Sequence, residues 1–159
     1  MTFIYIFINF LLATNTNETI SKAKFYKALA SNDKIQIEEL LSNLIKQKDT
    51  NLSQGYIATL KMSKSNFEKN IQIKISLFKE GATLLDQLIL EYPKQIEFKF
   101  LRCIIQEKAP KILKYNTNIQ SDKKQILSEF KNQSKSLQIH IINYAKNSDI
   151  FNEKEFKLK

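Results

Sequence analysis

Polar and apolar residues fall along this chain in blocks that predict a leader followed by amphipathic helices. Phe3 to Ala13 reads Phe-Ile-Tyr-Ile-Phe-Ile-Asn-Phe-Leu-Leu-Ala, broken only by Asn9, and gives way at once to Thr14-Asn15-Thr16-Asn17-Glu18. That length fits the hydrophobic region of a secretory signal peptide and falls short of the roughly 18 apolar residues that span a bilayer as a helix. No Lys or Arg precedes the run, and Ala13-Thr14 matches the small-residue cleavage pattern only loosely. Residues 1–14 are expected to be a signal peptide or a retained N-terminal membrane anchor. The competing reading is a helix or strand folded into the domain.

Beyond the leader the spacing turns helical. Ile20, Ala23, Phe25-Tyr26 and Leu29-Ala30 predict a first helix from Ile20 to Ala30, with Thr19 or Ser21 as its cap. Asp33 is placed to cap a second, Lys34 to Lys48, whose apolar face is Ile37, Leu40-Leu41 and Leu44-Ile45. The short Ser31-Asn32-Asp33 link makes this pair an antiparallel hairpin. A third helix follows from a Ser53 cap through Gly55, Tyr56-Ile57, Leu60 and Met62. In the fourth, Ile75, Phe78, Ala82, Leu85, Leu88-Ile89 and Tyr92 mark one face up to Pro93. Gly81 sits inside it at a cost of about 1 kcal/mol relative to Ala, which points to a neighbouring helix against its bare backbone. Ile96 to Lys108 is the fifth, closed by Pro110, and Lys111 to Tyr115 a short helical turn. The last two start at Ser121-Asp122, running to Phe130, and cover Leu137 to Lys146.

The expected architecture is all-α, an irregular right-handed array or bundle of seven or eight antiparallel helices forming one domain over residues 19–147. Residues 148–159 are read as a loosely packed tail carrying Phe151 and Phe156 among charges. With only Gly55, Gly81, Pro93 and Pro110 to serve turns, the chain lacks what tight hairpins need. Ile71-Gln72-Ile73-Lys74-Ile75 and Ile96-Glu97-Phe98-Lys99-Phe100 alternate with strand period, yet each runs unbroken into helical spacing and is read as a helix start.

A net charge of +9 suggests a polyanion partner, but Arg102 is the only arginine. Base and phosphate recognition leans on the bidentate guanidinium fork, so nucleic acid is rejected as a partner. Dispersed lysines can still attract anionic envelope surfaces without specificity. Cys103 lies among Leu101, Ile104 and Ile105 and reads as a small buried hydrophobe. One His, one Cys and no clustered carboxylates beyond Glu38-Glu39 give no metal site, and no glycine-rich turn offers a phosphate or cofactor loop. His140 sits between Ile139 and Ile141-Ile142 with no nucleophile elbow, so no catalytic residue is assigned. The densest polar chemistry is Arg102, Gln106 and Glu107, followed by Lys111 and Tyr115. Arg102 is expected to clamp the Pro110 loop through helix-end carbonyls or a carboxylate; the functional alternative has it anchor a carboxylate of a bound peptide.

The stretch from Gly81 to Pro93 resembles the second helix of a tetratricopeptide repeat, with Gly81, Leu85 and Pro93 at its packing positions. Leu88 departs from that pattern, and no second copy stands at the repeat period of about 34 residues. A broader resemblance is to a small family of exported bacterial α-helical proteins of unknown function. It rests on Phe25-Tyr26-Lys27-Ala28-Leu29-Ala30, Leu77-Phe78-Lys79-Glu80-Gly81, Glu97-Phe98-Lys99-Phe100-Leu101-Arg102, Gln106-Glu107 and Ala109-Pro110-Lys111. These resemblances imply helical-hairpin packing and export, and bring no activity.

The chain is thus expected to be a non-enzymatic protein of the periplasm or cell envelope that binds a protein or peptide or acts as a scaffold, touching membrane only through an uncleaved N-terminal segment. The alternative is a carrier of a small hydrophobic ligand or lipid, with Phe25, Tyr26, Phe78, Phe98, Phe100 and Tyr115 lining a cavity. An apolar cavity of about 300 Å³ or more would favour the carrier, and a solid core with an exposed groove the binding module. If the apolar run is a cleaved leader, intact-mass measurement of protein recovered from its host will place the mature start between Thr14 and Glu18. A full-length soluble cytoplasmic species would refute this.

Overall fold

The computed structural model describes residues 22–47, 50–110 and 113–156. The apolar run, the proposed leader and the expected cap of the first helix lie outside these residues. Among the described residues there are seven α-helices and no strand, so the all-α class holds. The helices are α1 (22–31), α2 (Lys34–Lys46), α3 (Asn51–Ser65), α4 (Ile71–Glu91), α5 (Ile96–Lys108), α6 (Ile119–Glu129) and α7 (Lys135–Ala145). The described residues also include the 3-10 turns Phe130–Asn132 and Glu153–Phe156.

Local capping chemistry sets most of the boundaries. Asn32 takes a left-handed backbone at φ 49°, a conformation that Asn tolerates, and closes α1. The Asp33 carboxylate then accepts from the Gln36 N–H at 2.9 Å and opens α2. Helix α3 is capped by Thr50 rather than by Ser53. Thr50 accepts from the Ser53 N–H while the Ser53 hydroxyl accepts from the Thr50 N–H, a reciprocal capping box that moves the start upstream. Asn70 caps α4 by accepting from Gln72 and Ile73, which locks the strand-like Ile71–Ile75 stretch into a first helical turn. Ile71 and Ile73 stay exposed there, and Ile75 is 38% exposed. The buried face of α4 therefore begins at Phe78, not at Ile75 as its spacing suggested. Helix α6 starts at Ile119 rather than at Ser121, with Asp122 buried in its first turn, and Ser134 caps α7, which starts at Lys135, two residues before Leu137.

Helices α3 and α4 make the most extensive pairing, antiparallel across a short turn. A Cβ added to Gly81 would lie 2.7 Å from the Met62 Cγ and closer still to the Ala58 carbonyl oxygen. The bare backbone of α4 is thus seated directly on α3. Gly55 plays the same part on the other side of α3, where a Cβ would meet the Phe98 ring at 2.6 Å.

Helix α5 fills the centre, and every residue from Ile96 to Gln106 is buried. Phe25 of α1 stacks on Tyr56 of α3 with centroids 3.9 Å apart, and Phe100 of α5 meets the edges of Tyr144 and Phe151. The tail, expected to be loose, packs through residue 156. Phe151 and Phe156 are buried in the core, Phe156 lies against Phe130 at 4.7 Å, and Lys123 holds both the Ile150 carbonyl and the Glu155 carboxylate. Aromatic burial outweighs the charges between the two rings.

Replacing Gly81 by Ala tests the α3–α4 contact, because two effects of opposite sign compete. Helix propensity favours Ala by about 1 kcal/mol, whereas overpacking costs about 1–3 kcal/mol and here the obstacle is backbone. Urea denaturation of Gly81→Ala is expected to show a net loss of stability; a gain would mean that α3 and α4 separate freely.

Candidate functional site

The polar cluster foreseen around Arg102 divides into two places. The Arg102 guanidinium makes a bidentate pair with Asp122 of α6, Nε to Oδ2 at 2.7 Å and Nη2 to Oδ1 at 2.9 Å. Its Nη1 donates to Asp86 of α4 at 2.9 Å, and the Tyr115 hydroxyl donates to the same Asp86 oxygen at 3.2 Å. Arg102 thus ties α4, α5 and α6 together: of its two expected kinds of partner it takes carboxylates, and these stand on α4 and α6 rather than on the Pro110 loop. Burial works against its charge, but the bonds to Asp122 and Asp86 outweigh that and raise its pKa. Tyr115 is raised too, by burial and then by Asp86. Gln106, one turn beyond Arg102, is buried with neither side-chain atom hydrogen-bonded.

Glu107 points elsewhere, into a half-open groove of about 620 Å³ between α1, α5 and α7. Its carboxylate accepts from the Tyr144 hydroxyl, the Ser148 hydroxyl and the Asp149 N–H. Burial first, and the bond to Glu107 second, keep the Tyr144 phenol protonated far above its ordinary range. The α1 wall presents Ala23, Lys27 and Ala30 beside Tyr26. These sit at i, i+4 and i+7, one stripe of the helix. The α7 wall presents His140 and Asn143, continued by Asn147 in the turn after the helix, and Ile104, Glu107 and Lys108 of α5 form the floor.

Beneath the α1 wall lies a buried carboxylate. Glu97 accepts from Lys22 at 2.9 Å, Tyr26 at 3.1 Å and Tyr56 at 2.7 Å, joining α1 and α3 to α5. The Tyr26 ring, so anchored, stacks on His140 at 4.2 Å and 19°. His140 is therefore not lost among its isoleucines: Ile141 is buried, Ile139 is exposed, and the imidazole turns to the groove. Burial lowers its pKa, so it is neutral at neutral pH. Cys103 is fully buried, and burial pushes its thiol up to about 12, leaving little thiolate for chemistry.

The aromatics assigned to a carrier cavity fare differently. Phe25, Phe98 and Phe100 are packed solid in the core, Tyr115 joins the Asp86 bridge, and only Tyr26 lines the groove. Among the described residues no group of three His, Cys, Asp or Glu could hold a metal ion, and no helix is long and apolar enough to cross a membrane. Sequence reasoning missed the groove itself. The available signal was two stripes at helical spacing, Ala23-Lys27-Ala30 and His140-Asn143-Asn147, that are neither apolar enough for core nor charged enough for an ordinary solvated face.

Comparison with known proteins finds no matching family model, no similar curated protein and no similar solved structure.

Arg102→Lys discriminates a structural from a ligand-binding role. An ammonium cannot serve two carboxylates and keep a bidentate fork, so the substitution is expected to lower stability by about 1–3 kcal/mol. Thermal and urea melts read this directly; an unchanged melting temperature would contradict the structural role and reopen Arg102 as an anchor for a ligand.

Proposed function

We propose that this is a non-enzymatic exported protein of the cell envelope that holds an extended peptide segment of a partner protein in the groove between α1, α5 and α7. The observation that carries the reading is a groove of about 620 Å³ laid over a filled aromatic core. Tyr26, Tyr144 and Ile104 supply apolar contact surface, and the α7 wall supplies carboxamides. Asn143 lies in the last turn of α7 and Asn147 in the turn that follows it, both exposed on the same wall of the groove. An extended chain turns peptide groups of alternate residues to the same side, where carboxamides on one wall can meet them. Each offers a donor and an acceptor, which an extended backbone requires and a helical ligand, already saturated, does not. The Asn147 side chain has no partner among the described residues, while Asn143 Oδ1 accepts from Lys146 and leaves its amide free.

Export rests on the apolar run from Phe3 to Ala13, with which the resemblance to exported helical proteins agrees. Gly81 seated on α3 supports a tetratricopeptide-like hairpin as the scaffold. A carrier of small hydrophobic ligands is the second reading, because the volume falls within the range of about 300 to 1,000 Å³ common for such sites. Against it stand the open mouth and the polar rim of Lys27, Asn143, Asn147 and Asp149.

Selection of unstructured peptides from a display library on the full chain tests the reading. Ala23 is exposed on the groove wall, so Ala23→Trp places an indole in the groove without burdening the core. Selected peptides are expected to lose about tenfold or more in affinity for Ala23→Trp at unchanged melting temperature, the scale of a central interface position. Equal binding to both proteins, or stoichiometric capture of a fluorescent fatty acid that no peptide displaces, would overturn the peptide reading.

A further inference from the structure

The charges around the groove are unevenly committed. Two lysines line it, Lys27 on the α1 wall and Lys108 on the floor, and both are exposed with no hydrogen bond or ion pair to any described residue. Of the two acids, Glu107 is turned toward α7 and already accepts from Tyr144, Ser148 and the Asp149 N–H. Those donors take up its acceptor sites and hold it against α7, while its charge stays in place. Asp149 is exposed at the rim, where α7 gives way to the tail. His140 is neutral at neutral pH.

We infer, resting on the peptide reading above, that the groove selects an acidic segment, an extended peptide whose side-chain carboxylates are taken by Lys27 and Lys108. The geometry favours this division of roles. A chain whose backbone lies along Asn143 and Asn147 turns alternate side chains away from α7, toward the α1 wall and the α5 floor where the two lysines stand. Apolar residues in between meet Tyr26, Ile104 and Tyr144. The chain's overall charge of +9 adds a field of the same sign, which speeds encounter with any acidic partner but is not confined to the groove.

Three short, end-blocked, fluorescently labelled peptides serve as probes: alternating Glu and Val, alternating Gln and Val, and alternating Lys and Val. Anisotropy titrations use the full chain at low ionic strength and again near 0.15 M salt, where the Debye length is about 8 Å. The Glu peptide is expected to bind about three- to tenfold more tightly than the Gln peptide, as two partly exposed ion pairs allow, and the Lys peptide most weakly. The double variant Lys27→Gln, Lys108→Gln should erase the Glu-over-Gln preference, read as the ratio of the two affinities. A matched variant of exposed lysines away from the groove, Lys34→Gln with Lys131→Gln, should keep the preference.

Equal affinity of the wild-type chain for the Glu and Gln peptides would overturn the acidic preference and leave the peptide reading standing. An equal loss of preference in both double variants would overturn it as well, by assigning the effect to the diffuse field. Failure of all three peptides to bind, with the display selection also empty, would remove the peptide reading itself.

Discussion

Helix α5 is buried on all sides from Ile96 to Gln106, and three residues of that stretch carry charge, so the surrounding helices must bring partners to it. Glu97, at 2% exposure, meets Lys22, Tyr26 and Tyr56. Lys99 reaches the Pro93 carbonyl at the end of α4, a helix without a basic residue in its last turn. Arg102 gathers Asp86 and Asp122. An unpaired charge in such a place costs several kcal/mol, far more than any one apolar contact there supplies. The arrangement of α1, α3, α4 and α6 around α5 follows from that inequality.

The groove is a consequence of the same arrangement. Glu97 pins α1 through Lys22 and Tyr26 toward the start of α5, while Glu107, nearly three turns on, pins the end of α7 and the tail. With each helix held at its own carboxylate, α1 and α7 meet where Tyr26 stacks on His140, and the space along their remaining length is open down to Ile104 and Lys108. The aromatics that could have filled it are committed elsewhere: Phe100 and Phe151 pack against each other and against Tyr144.

What the sequence made legible was local. The bounds of α5, the Asp33 cap and the close approach at Gly81 all follow from residues within a turn or two, and the structure agrees with each. The misread positions have long-range causes. Nothing in the spacing of α5 marks Glu97, Lys99, Arg102 and Gln106 as interior, yet neighbours on every side bury them. Ile75 has helical spacing and yet remains partly exposed. The tail looked too charged to pack until Phe151 and Phe156 found Phe100 and Phe130. Of the predicted cluster, Arg102 and Tyr115 meet through Asp86, a residue with no local mark of importance, and Glu107 belongs to the groove. A lone arginine among lysines did announce a need for directed carboxylate bonds; which carboxylates was a question of tertiary structure.

Stability alone does not account for the composition of α5. Exchanging a buried ion pair for apolar side chains of similar volume is commonly neutral or stabilising by about 1–4 kcal/mol, and Gln106 adds a buried carboxamide with no partner, at about 1–3 kcal/mol. What the polar residues add is discrimination between packings. Asp86 and Asp122 come from helices on either side in sequence and converge on Arg102, so a packing that rotated α5 or exchanged α4 and α6 would strand the buried charges of Arg102 and Asp122 in an apolar interior. An apolar α5 in a chain this rich in isoleucine and leucine would be accepted by many helical arrangements. The charged one is accepted by few, and the arrangement it selects is the one that leaves a groove between α1 and α7.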